Sequence, residues 1–474
     1  MKAFCRALVI CAVFLVAGVG GATPAPWRQT SFLIGGYGIN DPVRDPRHLV
    51  LFNDAGLDFV HALDYSLDFG RVRALTARFD SLRRARPDFR LQVIYHYSDP
   101  RGGAERFTAN PEAPAHWSAI ATLLRDRGGA RSASTLGWSL WDEPCDRATL
   151  ASATALARRM RSDPLTSAGI PYINLLSLAG PGESSCLDAA FGAGNRRRTW
   201  EAYLDAYLGA FDRDPWPAPV LSFDDYPFLR DGTVRPSYFE AMTIARDRAA
   251  AHSRPGARVP VWVVVQLVPF RPPGKPMMKG PNMAQVRWQA WCAVAYGAWG
   301  ISYWTTGSPH PAVESEFGKG IVDPAARPTA LYAPLKQLNR ELHALGPTLL
   351  ELEPISVLLA ARGSQRGVED QVVGDSRSRD GIVRTVEPGE GSGDCLIGHF
   401  RRAATGEDYL LVMNRSLDRV RSFGIRLVAS ADAIERISRV TGKEVPHARN
   451  TAELRVSALA PATAELFRIL RQAR

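Results

Sequence analysis

The 474-residue sequence predicts an α/β fold, a (β/α)8 TIM barrel over residues 30–348 followed by a small C-terminal β-sandwich over residues 350–474. Three observations carry this. From residue 31 onward short β-rich runs alternate with amphipathic helical stretches, the runs number eight, and after residue 350 strands follow one another without long helices between them. Eight is the strand number that closes such a barrel.

The chain opens on a segment outside the fold. Lys2 and Arg6 precede an apolar run from Ala7 to Val19, and the small residues Gly20, Gly21 and Ala22 follow, the pattern of a signal peptide cleaved near Ala22. The run is shorter than the roughly 20 apolar residues of a membrane span, and no later stretch reaches that length. Residues 1–22 therefore predict a soluble exported protein, periplasmic or extracellular, with no membrane contact after cleavage.

The strand candidates occupy 31–38, 57–63, 89–97, 135–144, 170–177, 219–228, 259–270 and 300–307. Between them, residues 71–85 and 199–211 carry apolar side chains three and four apart, which places them on one face of a helix. The eight runs span about 270 residues, close to the length of a closed barrel with modest insertions. An open doubly wound sheet fits less well, because the GGYG run at 35–38 lacks the GxGxxG spacing of a phosphate-binding turn. A helix over 330–346 completes the barrel and Pro347 stops it. Residues 363–394, rich in Gly, Ser, Arg and Asp, read as loop, while 409–416, 421–429 and 464–470 read as strands of the sandwich.

The formal charge of +10 comes from scattered arginines. The longest basic run is Arg196, Arg197 and Arg198, too short to track a phosphate backbone, and no nucleic-acid-binding motif accompanies it. Beyond the signal segment stand Cys145, Cys186, Cys292 and Cys395. Cys145 and Cys186 each follow a strand, and if those strands are neighbours their loops meet, so a disulfide is expected there in an oxidising compartment. Cys292, inside the apolar helix over 284–300, is expected as a buried free thiol. Trp288, Trp291 and Trp299 are read as core on the same grounds.

Reacting groups in such barrels stand at the carboxyl ends of the strands, where the following loops converge on one mouth. Those ends supply Tyr37, Asn40, Asp64, His96, Asp142, Glu143, Asn174, Asp224, Asp225, Tyr226, Gln266, Trp304 and Thr305. The set is carboxylates, amides and aromatics, without the HExxH spacing of a metal site or the GxSxG of a nucleophile elbow, so neither metal nor organic cofactor is expected. It suits a carbohydrate. Cleaving a glycosidic bond takes one protonated carboxyl for the leaving oxygen and one ionised carboxylate for the anomeric centre, while aromatic faces and amides hold the sugar. Glu143 is the candidate acid, in a mouth walled by Trp138, Trp141 and Trp304, with Asp224 or Asp225 as the second catalytic carboxylate. Tyr37, Asp64, His96, Asp142, Asn174, Tyr226, Gln266 and Trp304 are candidates for substrate binding. Adjacent strand residues face opposite ways, so only one of Asp224 and Asp225 turns inward.

The ordered segments GWSLWDEP (137–144), SFDDYPF (222–228), VWVVVQ (261–266), 287–307 and Pro328 to Gly346 resemble the clan A glycoside hydrolases, especially the beta-galactosidase-like barrels and uncharacterised exported relatives. The resemblance covers roughly residues 31–346. It implies an acid/base Glu at the end of the fourth strand, matching Glu143, with Asp142 where the clan usually has Asn. It also implies a nucleophile Glu at the end of the seventh strand, where this chain has Gln266. An amide cannot form the glycosyl ester. Three readings follow: Asp224 or Asp225 supplies the second carboxylate, with an inverting separation of about 6.5–9.5 Å; Glu314 or Glu316 folds over the mouth; or the barrel binds a glycan without cutting it. In each the partner is a carbohydrate, and the sequence carries no signal for oligomeric state.

Overall fold

The computed structural model describes residues 26–38, 45–62, 69–96, 133–164, 166–178, 184–192, 194–228, 232–235, 237–269, 280–307, 318–360, 381–387 and 392–471. Eight parallel strands close into a barrel in chain order: β1 (Leu33–Tyr37), β2 (Phe59–Ala62), β3 (Gln92–His96), β4 (Thr135–Asp142), β5 (Ile170–Leu175), β6 (Leu221–Asp224), β7 (Val261–Gln266) and β8 (Gly300–Trp304). The ring closes where Leu33 pairs Gly300 and Gly36 pairs Tyr303. Helices α1 (Arg47–Asp54), α2 (Phe69–Ala85), α3 (Arg147–Ser162), α4 (Ser184–Phe191), α5 (Arg196–Gly209), α6 (Ser237–Ala251), α7 (Met283–Ala295) and α8 (Tyr332–Leu350) accompany the strands. The expected signal segment lies outside the described residues. Among the described residues no helix is long and apolar enough to cross a membrane.

The barrel is filled, not hollow. Leu33, Phe59, Ile94, Leu136, Ile170, Tyr172, Val220 and Trp262 pack as one cluster inside it, as expected of a barrel whose interior is a core. Phe59 and Trp262 stack at 5.2 Å between centroids. Room for Phe59 comes from Gly35, where a Cβ would lie 2.2 Å from the ring.

β4 carries two register shifts, one opposite Val93 and Ile94 and one between Ser139 and Trp141. Such bulges re-aim side chains. The second pairs Trp141 with Ile173 and Asp142 with Asn174, so the acid shares the inward face of Asn174. Trp138, buried at 4% exposure, joins the core between strands and helices, and Trp141 packs against that core. Neither forms the wall of the mouth that the sequence suggested: Trp138 faces away from the barrel interior beside Ser139, and the second bulge puts Trp141 on that same outer face.

α8 runs through Pro347 to Leu350 instead of stopping before it. Proline forfeits one helical hydrogen bond, but Leu342, Leu345 and Leu349 remain buried on one face of the helix and its last turn stays packed. Beyond it lie β9 (Leu352–Leu359), β10 (Val383–Val386), β11 (Cys395–Arg402), β12 (Asp408–Asn414), β13 (Arg421–Ile437), β14 (Glu444–Leu459) and β15 (Thr463–Leu470). They form one curled antiparallel sheet, ordered β10-β13-β15-β12-β11-β9 with β14 on β13. β10 falls inside the stretch read as loop; its four residues include no buried side chain to mark it as a strand.

The curl makes the sheet sandwich-like. β13 pairs β10 through Ile425–Leu427 and β15 through Ala433–Ile437. Alternate residues of β11, β12 and β15 then face two cores: Ile397, Val412 and Phe467 point into the sandwich, Leu396, Leu411 and Leu466 onto the barrel. Cys292 on α7 is a buried free thiol, as expected, 3.8 Å from Met413 of this shared wall. The Cys145–Cys186 disulfide is formed, joining the loop after β4 to α4 beyond β5 with Cα atoms 5.7 Å apart.

Candidate active site

At the end of β4 the chain turns through Glu143 in a left-handed conformation, φ 54°. A non-glycine residue adopts this at a cost on the order of 1 kcal/mol. Neighbouring contacts hold it there. The Glu143 N–H donates to the Asn174 carbonyl at 2.9 Å, and three residues on Asp146 caps α3 by accepting from Thr149 N–H at 2.8 Å.

A hydrogen-bonded chain crosses the barrel beneath this turn. Tyr37 and Tyr172 hydroxyls lie 2.7 Å apart, and Tyr172 lies 2.6 Å from Ser222 Oγ. Ser222 donates to Asn174 Oδ1 at 3.2 Å, and Asn174 Nδ2 donates to both Asp142 Oδ1 and Asp224 Oδ1, each at 3.2 Å. Because the Ser222 hydrogen is spent on Asn174, Tyr172 donates to Ser222 and Tyr37 to Tyr172, so every donor in the chain points toward the carboxylates.

Asp224 is also hydrogen-bonded to the Glu143 side chain. Burial pushes the Asp224 carboxyl up to about 7, and the nearby charges of Asp142 and Asp225 push the same way against the hydrogen bonds from Glu143 and Asn174. Two carboxyls in contact cannot both ionise cheaply, so the pair titrates as a unit whose last proton is held to near neutrality. The contact also brings the two groups closer than the 6.5–9.5 Å gap expected of an inverting pair. Asp225 turns the other way. Its carboxyl is buried in an ion pair with Arg235, and burial raises its pKa against the pull of that guanidinium. Of the adjacent acids, Asp224 is the one at the mouth.

Tyr226 stands close enough to Asp224, Glu143 and Asp142 for their charges to raise its pKa, after burial as the larger cause. Trp304 is half-buried at the end of β8, its ring 5.3 Å from Tyr37, and Thr305 follows it, buried. Tyr37 and His96 lie beneath the mouth, not on its surface: Tyr37 stacks on His61 at 3.9 Å, and His96 Nε2 is 3.3 Å from His61 Nδ1. Burial pushes His96 down to about 3, so it is a neutral core histidine. Gln266 ends β7 as the sequence indicated, fully buried, its amide donating to the Val268 carbonyl at 3.2 Å and its backbone bonded to Gln289. Neither His96 nor Gln266 is exposed to a substrate in the mouth.

Asn40, Asp64, Glu314 and Glu316 lie outside the described residues. Among the described residues no three His, Cys, Asp or Glu side chains gather as metal ligands would. Strand-end reading missed Tyr172 and Ser222, which sit two residues before Asn174 and Asp224 on the same strand faces. Period-two alternation was the signal for both. It also missed Tyr203 of α5, a helix residue whose buried phenol feels Glu143 and Asp224 and accepts from Leu176 N–H at 3.4 Å.

No protein-family model and no curated protein matches the sequence. Solved structures match its fold. The chain is similar to a beta-galactosidase from Bacillus circulans sp. alkalophilus, with TM-score 0.52 and 10% identity over 93% of this chain and 99% of that one. It is similar to the same degree to a GH42 beta-galactosidase from G. stearothermophilus, with TM-score 0.52 and 10% identity over 94% and 99% of the two chains. The likeness spans barrel and sheet together, so the fold is the one the clan A resemblance implied.

Proposed function

We propose that the chain is an exported glycosidase that cleaves an oligo- or polysaccharide, with Glu143 protonating the leaving oxygen and Asp224 as the second carboxylate. The observation that supports it is the Glu143–Asp224 contact at the carboxyl ends of β4 and β6, where one proton is held to near neutral pH. A general acid works best when its proton is still present, yet transferable, at the operating pH. The hydrogen-bonded chain from Tyr37 fixes Asn174 and orients Asp142 and Asp224, which saves reorganisation when charge develops.

In contact, the two carboxyls cannot bracket a glycosidic bond. Turnover therefore requires the incoming sugar to part them, taking the Glu143 proton on its glycosidic oxygen and leaving Asp224 ionised. Beta-galactosides belong in the substrate screen because the similar folds include beta-galactosidases. The Cys145–Cys186 disulfide suits an oxidising compartment and so supports export.

A second reading, glycan binding without cleavage, has an observation in its favour: the end of β7 offers a buried amide, Gln266, committed to Val268. One experiment separates the two. The mature protein is screened against aryl glycosides and polysaccharides, with product anomers followed by NMR, alongside Glu143→Gln and Asp224→Asn. The glycosidase reading expects turnover that either variant lowers about 10²–10⁴-fold; unchanged turnover in the variants overturns the assignment. Binding without any product supports the second reading.

A further inference from the structure

A cavity of about 780 Å³ opens at the end of the barrel opposite Glu143. Pro219, Pro260 and Trp299, which precede β6, β7 and β8, line it together with Glu353 of β9. Its volume lies within the range of small-molecule sites, roughly 300–1,000 Å³. Its lining is cationic and aromatic: Arg28, Arg161, Arg254 and Arg258 face it along with the indoles of Trp216 and Trp299.

The guanidiniums are held mainly by neutral partners. Arg161 donates to the Pro217 carbonyl at 2.6 Å, Arg254 to the Phe211 carbonyl at 3.0 Å, and Arg258 to the Leu352 carbonyl. Carbonyls satisfy hydrogen bonds without neutralising charge. Arg161 is more than nine-tenths buried, and its Nε has no hydrogen-bond partner among the described residues. Carboxylates on every side are few or engaged: Asp214, the acid felt by Arg161, is paired at 2.7 Å with Arg158, Asp247 is paired with Arg246, and Glu353 acts on Arg258. Burial lowers the pKa of both Arg161 and Arg258 to about 10, and the charge of Arg254 adds to the effect at Arg161.

The aromatic walls add a shape requirement. Arg28 lies over Trp216 at 4.6 Å and Arg258 over Trp299 at 4.5 Å, so each partly exposed indole stands beside a guanidinium. A flat C–H surface carrying an oxyanion meets both features at once, the ring on the indole and the anion in the planar guanidinium fork.

We propose that this cavity binds an acidic saccharide, whose sugar ring packs on Trp216 or Trp299 and whose carboxylate or sulfate is taken by Arg28, Arg161 and Arg258. The site is separate from the mouth and does not depend on glycosidase activity. The shared chemistry is an oxyanion on a pyranose, and carboxylate and sulfate are told apart by using one probe of each.

The test is calorimetric titration of the full chain with a uronic-acid disaccharide, a sulfated disaccharide, a neutral disaccharide and inorganic sulfate. The proposal expects an acidic disaccharide to bind at least tenfold more tightly than either the neutral sugar or free sulfate, and to weaken as salt is raised. Arg161→Gln should weaken it at least tenfold, with thermal melting to check the fold. Trp216→Ala and the exposed Arg28→Ala provide the same readout with less risk to folding. Glu143→Gln should leave it unchanged. No binding by either acidic probe, neutral sugar bound as tightly, free sulfate bound as tightly, or binding indifferent to the Arg28 and Trp216 variants would each overturn the proposal.

Discussion

The two ends of one barrel bury opposite charges and manage them differently. At the carboxyl ends of β4 and β6, acids crowd together and the strain is relieved by a retained proton, with Asp224 pushed up to about 7. At the amino ends of β6 to β8, guanidiniums crowd together and cannot shed protons near neutral pH, so carbonyls and indoles surround them instead. The difference teaches what each end can do. A group whose proton is poised near neutrality can transfer it, whereas a group that stays charged can only attract. The mouth is therefore suited to chemistry and the floor to binding.

The largest effect that can break this contrast is kinetic. Loss of the mouth's proton through Glu143→Gln should lower kcat/KM by about 10²–10⁴-fold while KM moves far less, measured on whichever substrate the screen identifies. A loss of kcat/KM that comes wholly from a raised KM, with kcat unchanged, would make Glu143 a binding group and erase the chemical distinction between the ends.

Next comes Asp225, the acid beside the mouth that is paired instead of protonated. Arg235→Met leaves its buried carboxylate without a cation and should cost about 3–5 kcal/mol in urea unfolding. A cost near zero would mean that Asp225, like Asp224, can simply take up a proton. The disulfide sharpens the comparison in another way, since it ties the mouth covalently while the floor has no such tie among the described residues. Its sequence separation of 41 gives a loop-closure contribution of up to about 4 kcal/mol, to be read as the stability lost in a Cys145→Ser/Cys186→Ser double variant.

The smallest effect is the pH dependence of stability. Asp224 has its pKa raised in the fold, from 3.8 to about 7. Its contribution is thus fully present below the unfolded value and is lost as pH rises through the folded one. Asp224→Asn should flatten the stability profile between about pH 4 and 7 and gain on the order of 1–3 kcal/mol at pH 8. His96 acts in the opposite direction, being lowered to about 3 by burial. Its contribution is present above the unfolded histidine value and is lost as pH falls toward 3, so His96→Gln should soften acid unfolding.

Much of the barrel could be read from the sequence because strands alternate with helices locally, and Gln266 closes β7 where the pattern put it. The acids Glu143 and Asp224 were legible for the same reason, since strand ends are topological positions. What lay hidden was tertiary. Trp138 alternates outward beside Ser139, the bulge after Ser139 put Trp141 on the same outer face, and no local pattern announces a bulge. Pro347 stayed helical because buried leucines outweighed its missing hydrogen bond. Trp299, read as core, is half-buried and lines the floor cavity beside Arg28, Arg161 and Trp216, residues far apart in sequence that only the closed ring gathers.

The most direct measurement is a carboxyl titration followed by carbon-13 NMR on side-chain-labelled protein, comparing wild type with Asp224→Asn and Glu143→Gln. A carboxyl proton lost near pH 7 in the wild type and absent from that range in Asp224→Asn is the predicted result, whereas Glu143→Gln, which leaves Asp224 buried beside Asp142 and Asp225, keeps a raised titration. Two carboxyls titrating independently near pH 4 would contradict it.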